Sequence, residues 1–171
     1  MFLTKTFVIQ DCPYYNDGTK TTGLIIDSGC SCTVEDGALK ITTSTSGEKK
    51  VTLPVELSSS DNWLFEVELA KIGVEQYIAM RLFDYNTWYA MNHDGLLVSN
   101  LNGYSTKSVT ISVGDKLQCE YNNGTLTLKH NDVTFKSGSV SSNPVKFYCY
   151  TNRDGSTSRI QYIKNIKIKP L

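Results

Sequence analysis

The chain has 171 residues, with 17 Lys and Arg set against 17 Asp and Glu, so its formal net charge is zero. About 150 residues is usual for one domain, so this length suits one and leaves little room for two. The neutral balance argues against nucleic acid or an anionic membrane surface as partner, since both select for basic excess. An aromatic fraction of 11% argues against disorder.

The opening stretch, Met1 to Gln10, has its apolar positions broken by Thr4, Lys5 and Thr6, and does not read as a signal peptide. No apolar run approaches the roughly 18 residues of a membrane span. Residues 1–20 are the least regular part and are expected to form an arm or edge segment, with residues 21–171 as one domain. Beyond them the dominant period is two, the mark of half-buried strands. Residues 23–26 lead into a turn at 27–29, a short strand follows at 32–34, and Glu35-Asp36-Gly37 reads as a tight turn before a strand at 38–42. Residues 44–50 are expected as a polar connection and 51–55 as a strand. Residues 63–69 and 76–83 alternate strongly, with Phe65, Val67 and Leu69, then Ile78, Met80 and Leu82, facing the core. The Glu, Ala, Lys and Met content of residues 66–83 also admits a helix, but Gly73 and the alternating flanks favour strands. Further strands are predicted at 88–91, 96–98, 109–111, 116–121, 125–130, 133–135, 146–150 and 160–168. Asn122-Asn123-Gly124 is the strongest hairpin signal, because Asn-Gly suits the positive φ angles of a type I′ turn. Strands and turns recurring about every eight to twelve residues predict an all-β, antiparallel two-sheet sandwich.

Residues 37–41, 65–69 and 114–117 resemble, in order and spacing, the strands of concanavalin A-like lectin/glucanase jelly rolls. The hairpin Tyr121 to Leu128 is similar to a passage of laminin G-like modules, and residues 162–168 resemble the closing strand of that superfamily. The resemblance covers roughly residues 20–171 and rests on patterns of strands and turns, which specify architecture more than chemistry. It implies a jelly roll of the kind found in carbohydrate-binding modules, adhesins and viral tail or fibre proteins. Such a setting implies a virion or extracellular surface, and a homo-oligomer or larger assembly.

Glu66 and Glu68 are the candidates for catalysis. Two apart on a strand, they share a face with Cα atoms about 6.5–7 Å apart, within reach of a glycosidase acid–base pair. Glucanases of the resembled superfamily carry a strand motif with an Asp between flanking Glu residues. Glu66-Val67-Glu68-Leu69-Ala70 lacks that Asp and the third acid, so a solvent-facing strand surface, with an ion pair to Arg81, is the favoured reading. No nucleophile elbow, phosphate loop or zinc-protease motif is present in the sequence. Five cysteines, Cys12, Cys30, Cys32, Cys119 and Cys149, cannot all pair within one chain. Cys119 and Cys149 sit in alternating apolar runs and are expected as core thiols, while Cys30-Ser31-Cys32 lacks partners for a zinc site. His93 and His130 are expected as exposed turn residues. No cofactor is expected. Asn16-Asp17 or Asp27 could contribute ligands to a structural calcium, although neither loop has a dedicated acidic pattern. Asn123-Gly124-Thr125 matches a glycosylation sequon that the hairpin turn already explains.

A binding surface has better support. Sugars are held by rings stacked on their C–H faces and by planar amide, carboxylate and Arg hydrogen bonds. Tyr77, Arg81, Tyr85, Trp88, Tyr89 and Asn92 cluster in one short stretch, and Glu66 and Glu68 are expected on the same non-core face across a neighbouring strand. The plain alternative is that Trp88 and Tyr89 fill the core. Tyr148, Tyr150, Asn152, Arg153 and Asp154 form a second, weaker cluster. The sequence thus points to a non-catalytic module that binds a glycan or cell-surface polysaccharide or acts as an adhesive structural part. The runners-up are a glycoside hydrolase using Glu66 and Glu68, and a protein–protein scaffold without glycan ligand.

Overall fold

The computed structural model describes residues 7–8, 24–44, 47–56, 62–74, 76–82, 87–140, 146–153 and 158–171. Its strands are β1 (Phe7–Val8), β2 (Ile25–Ile26), β3 (Cys30–Glu35), β4 (Ala38–Thr43), β5 (Gly47–Glu56), β6 (Trp63–Val74), β7 (Gln76–Leu82) and β8 (Thr87–Asn92). They continue with β9 (Leu96–Ser99), β10 (Ser105–Ser108), β11 (Lys116–Asn122), β12 (Thr125–His130), β13 (Val133–Ser139), β14 (Lys146–Arg153) and β15 (Arg159–Pro170). One sheet, A, runs β13-β12-β11-β6-β15-β4-β3, with β1 also paired to β15; the other, B, runs β10-β9-β8-β7-β14-β5-β2. All the described pairings are antiparallel. The all-β two-sheet sandwich read from the period is what forms.

The alternation explains the layering. On sheet A, Phe65, Val67 and Leu69 of β6 face inward with Leu117 and Cys119 of β11, Leu126 and Leu128 of β12, and Ile163 of β15. Sheet B answers with Val51 and Leu53, Ile78, Met80 and Leu82, and Tyr89 and Met91, so that one continuous core lies between the layers. Three hairpins of sheet A turn through two residues with positive φ: Asp36-Gly37, Asn123-Gly124 and Asn131-Asp132. Their backbone matches the strand twist, which is why Gly37 and Gly124 stand at φ +74° and +82°. Asp115 fixes the end of the β11–β12 pair, accepting from Asn131 Nδ2 at 2.9 Å and the Ser112 N–H at 3.0 Å.

Several expectations change. Residues 47–50 belong to β5, because Gly47 and Glu48 pair with Arg153 and Asn152 of β14 despite their polarity. Residues 109–111 form no strand. The pairing there belongs to Ser105–Ser108 on β9, an edge strand that buries too little to need apolar alternation. The stretch from 66 to 83 admits no helix in its described residues, which form β6 and β7. His130 ends β12 instead of occupying an open turn, its Nε2 lying 3.1 Å from the Asp115 carboxylate. His93 is exposed beside Asp94, as expected.

Cys119 is fully buried as a core thiol, and burial pushes its ionisation up. Cys30 and Cys32 share the inward side of β3, and burial raises their thiols to about 11 and about 12. Cys149 lies on β14 with its side chain outside the described residues, as does Cys12 altogether. Asp27 Oδ2 accepts the Lys50 N–H at 2.9 Å, while Asn16 and Asp17 lie outside the described residues. Among the described residues no group of three or more His, Cys, Asp and Glu could hold a metal ion.

Candidate functional site

The sandwich has two outer faces that differ in character. On sheet A, Glu66 and Glu68 stand opposite Gln118 and Lys116 of β11. Glu66 is only 5% exposed; its Oε2 accepts from Gln118 Nε2 at 2.9 Å, and its Oε1 lies 3.3 Å from Lys167 and 3.9 Å from Lys116. Gln118 reaches on to Asp132, donating to Oδ1 at 2.7 Å and accepting the N–H at 2.9 Å. Glu68 accepts from Asn165 Nδ2 at 2.6 Å and pairs with Lys164 at 3.2 Å. Lys40 and Lys71 both pair with Glu35 and lie over the Tyr162 ring. Lys129 and Glu120 add a pair at 2.5 Å. The face is a lattice of lysines and carboxylates.

Two expectations fail on this geometry. Glu66 and Glu68 do not share a face with Arg81, because β6 and β7 belong to different sheets. The proposed ion pair to Arg81 is therefore replaced by pairs to lysines, and Arg81 pairs with Glu48 of β5 instead. The acceptor positions of both glutamates are taken by lysine and amide donors.

Sheet B carries the sugar-binding types. Trp88, Ala90 and Asn92 of β8 point outward, as do Ala79 and Arg81 of β7. Ala79, Ala90 and Val98 stand side by side across three strands, with Trp88 and Leu96 packed against them. Arg81 is 5% exposed, its guanidinium turned onto Glu48. Trp88 is half-buried and meets Tyr104, whose ring centroid lies 6.1 Å away at a tilt of 57°. Tyr104 itself is 70% exposed. Along β8, Trp88 and Asn92 lie about 13 Å apart, on either side of the buried Ala90.

Of the aromatic cluster, Tyr89 is a correction. It is 1% exposed, stacks on Phe135 at 5.6 Å, and donates its hydroxyl to the Lys129 carbonyl at 3.0 Å. It spans the core to sheet A because its parity is that of Met91. Tyr77 lies in β7 where the register against β8 shifts, its side chain outside the described residues; Tyr85 is outside them altogether. Sheet order also brings Tyr148 of β14 opposite Arg81 in register, the side chain of Tyr148 lying outside the described residues. Tyr104, Glu48 and Asn100 were not legible as site residues. Only the Asn102-Gly103 turn before Tyr104, at φ +48° and +99°, marks the place. Asn100 Oδ1 accepts the Trp88 N–H at 2.8 Å and so ties that turn to β8.

This topology can be set beside solved structures. The VIP36 exoplasmic/lumenal domain, with calcium and mannose bound, superposes at a TM-score of 0.63 with 10% identity over 97% of this chain and 89% of that one. The metal-free carbohydrate recognition domain of Emp46p gives 0.61 with 14% identity over 91% and 94%. The fold is the concanavalin A-like jelly roll. A sialidase also matches this jelly roll at 0.64 with 9% identity, over 86% of the chain, which spans only 17% of the sialidase. No protein-family model matches the jelly roll's sequence, and no curated protein does either.

Proposed function

We propose that this jelly roll is a non-catalytic carbohydrate-binding module that holds a neutral glycan on the outer face of sheet B. The observation that carries the reading is the Trp88–Tyr104 pair, one ring half-buried and one 70% exposed, on the face where Arg81 is turned onto Glu48. Aromatic rings bind the C–H faces of pyranoses without requiring charge. The VIP36 domain with bound mannose and the Emp46p carbohydrate recognition domain, which share this fold, support the ligand class. The non-catalytic part is supported by Glu66 and Glu68, which are engaged by Lys167, Gln118, Lys164 and Asn165.

A glycan array tests the proposal directly. The intact chain should retain neutral glycans, and Trp88→Ala should weaken the best hit about tenfold, the scale of one lost ring contact. An array with no neutral hit would sink it. Hydrolysis of any hit by the parent, abolished by Glu66→Gln, would replace it with the hydrolase reading. Self-association and display on a virion or cell surface form a wider proposal: a one-chain mass in light scattering would remove the first, and absence of the chain from purified virions and cell surfaces the second.

A further inference from the structure

Tyr104 is the most exposed aromatic ring on the described surface near the site, yet its two chain neighbours are both held by one residue of the opposite sheet. Lys136, on edge strand β13 of sheet A, donates from Nζ to the Gly103 carbonyl and to the Ser105 hydroxyl, each at 2.7 Å. These two residues bracket Tyr104. Beside them, Asn102 Nδ2 donates to the Ser139 carbonyl at 3.1 Å. Gly138 leaves the room for that amide, since a Cβ there would collide with the Asn102 nitrogen. Within the turn, the Gly103 N–H reaches the Asn100 carbonyl at 3.2 Å and the Leu101 N–H reaches Ser99 Oγ at 3.0 Å.

A five-residue connection at a sheet edge would ordinarily be among the more mobile parts of a sandwich. Here its tip is pinned from across the sandwich. Holding a ring in its bound orientation before ligand arrives reduces the entropy lost on binding.

We propose that Lys136 is a positioning residue for glycan binding: from sheet A it holds the backbone around Tyr104, and so sets that ring against Trp88 on sheet B. This rests on the sheet B face being the glycan site. The role is distinct from that of Trp88 and Tyr104, because Lys136 acts only through the turn.

The test uses the full chain, its Lys136→Met and Lys136→Arg variants, Tyr104→Ala, and the double variant Lys136→Met with Tyr104→Ala. Acrylamide quenching reads the turn without any ligand. Trp63 is 0% exposed, so the quenchable fluorescence reports Trp88. Lys136→Met should raise quenching, and Lys136→Arg, which keeps the donors, should restore most of the protection. In titrations with Man3GlcNAc, the glycan held by the VIP36 domain in another structure, Lys136→Met should weaken binding about three- to tenfold, and that loss should vanish in the Tyr104→Ala background. An equal loss in both backgrounds, or unchanged quenching, would overturn the positioning role. A parent that binds neither Man3GlcNAc nor any arrayed neutral glycan removes instead the reading on which the role rests. Gly138→Ala gives a second route to the same turn. It should displace the Asn102 amide and reproduce the rise in quenching, and a Gly138→Ala protein that quenches like the parent counts against the clamp.

Discussion

Trp88 and Tyr89 are neighbours with opposite fates, and the difference is one of parity on a strand. Met91 lies two residues beyond Tyr89 and faces the core, whereas Ala90 and Asn92 share the outward parity of Trp88. That phase was present in the sequence, but the size of a Trp argues for burial and obscures it. The buried role of Tyr89 predicts that Tyr89→Phe, which loses the hydroxyl bond to Lys129, lowers stability by about 1 kcal/mol. Glycan affinity should not change, and a urea melt together with a titration checks both. The inward thiols give a pH prediction. Cys30 and Cys32 ionise near 11 and 12 when folded, mainly through burial, against an ordinary value of 9.0. The folded state therefore keeps protons that the unfolded chain releases above that ordinary value. Their stabilising contribution is complete below pH 9.0 and is lost as pH rises toward the folded values. The urea midpoint should fall between pH of about 9 and about 11, and Cys30→Ser with Cys32→Ser should flatten the fall.

At the scale of elements, the period of two located nearly every strand and told little about which strand lies beside which. Alternation specifies a face, while partners are set by non-local packing. β6 and β7 are joined across residue 75 and read naturally as a paired hairpin, yet each enters a different sheet. That single step moved Glu66 and Glu68 away from Arg81 and dissolved the composite site expected from sequence. The same topology placed β14 beside β7, with Tyr148 opposite Arg81 in register although the two are far apart in the chain. β10 escaped notice because its Ser-Thr-Lys-Ser sequence has no apolar phase. The network on sheet A is itself testable. Gln118 is 2% exposed and bridges Glu66 to the β12–β13 turn. Gln118→Ala should leave Glu66 and the Asp132 N–H short of partners and cost about 1–3 kcal/mol, read as a lowered melting midpoint. Binding on sheet B should be untouched, since the two faces are separated by the core.

For the whole molecule, a net charge of zero conceals a partition. The ion pairs of Glu35, Glu66, Glu68 and Glu120 with six lysines lie together on the outer face of sheet A. The outer face of sheet B carries the Arg81–Glu48 pair and Lys50 of β5 beside the apolar patch of Ala79, Ala90, Val98, Leu96 and Trp88. Glycan binding should therefore be insensitive to ionic strength: Kd should stay within about twofold up to about 0.5 M salt, where the screening length is about 4 Å. Isothermal titration across that range checks it, and a steep salt dependence would place the ligand on the lysine-rich face.

The position of β15 has a consequence for how the protein comes into being. It follows all the other strands in the chain, yet lies in the middle of sheet A, paired to β6 on one side and to β4 and β1 on the other. A nascent chain lacking it holds β6 and β4 with open ladders and an exposed apolar stripe. Ribosomal synthesis must pass residue 170 before the layer can close. Until then the growing chain depends on chaperones, or on its own hairpins, to keep those edges from pairing with a neighbour.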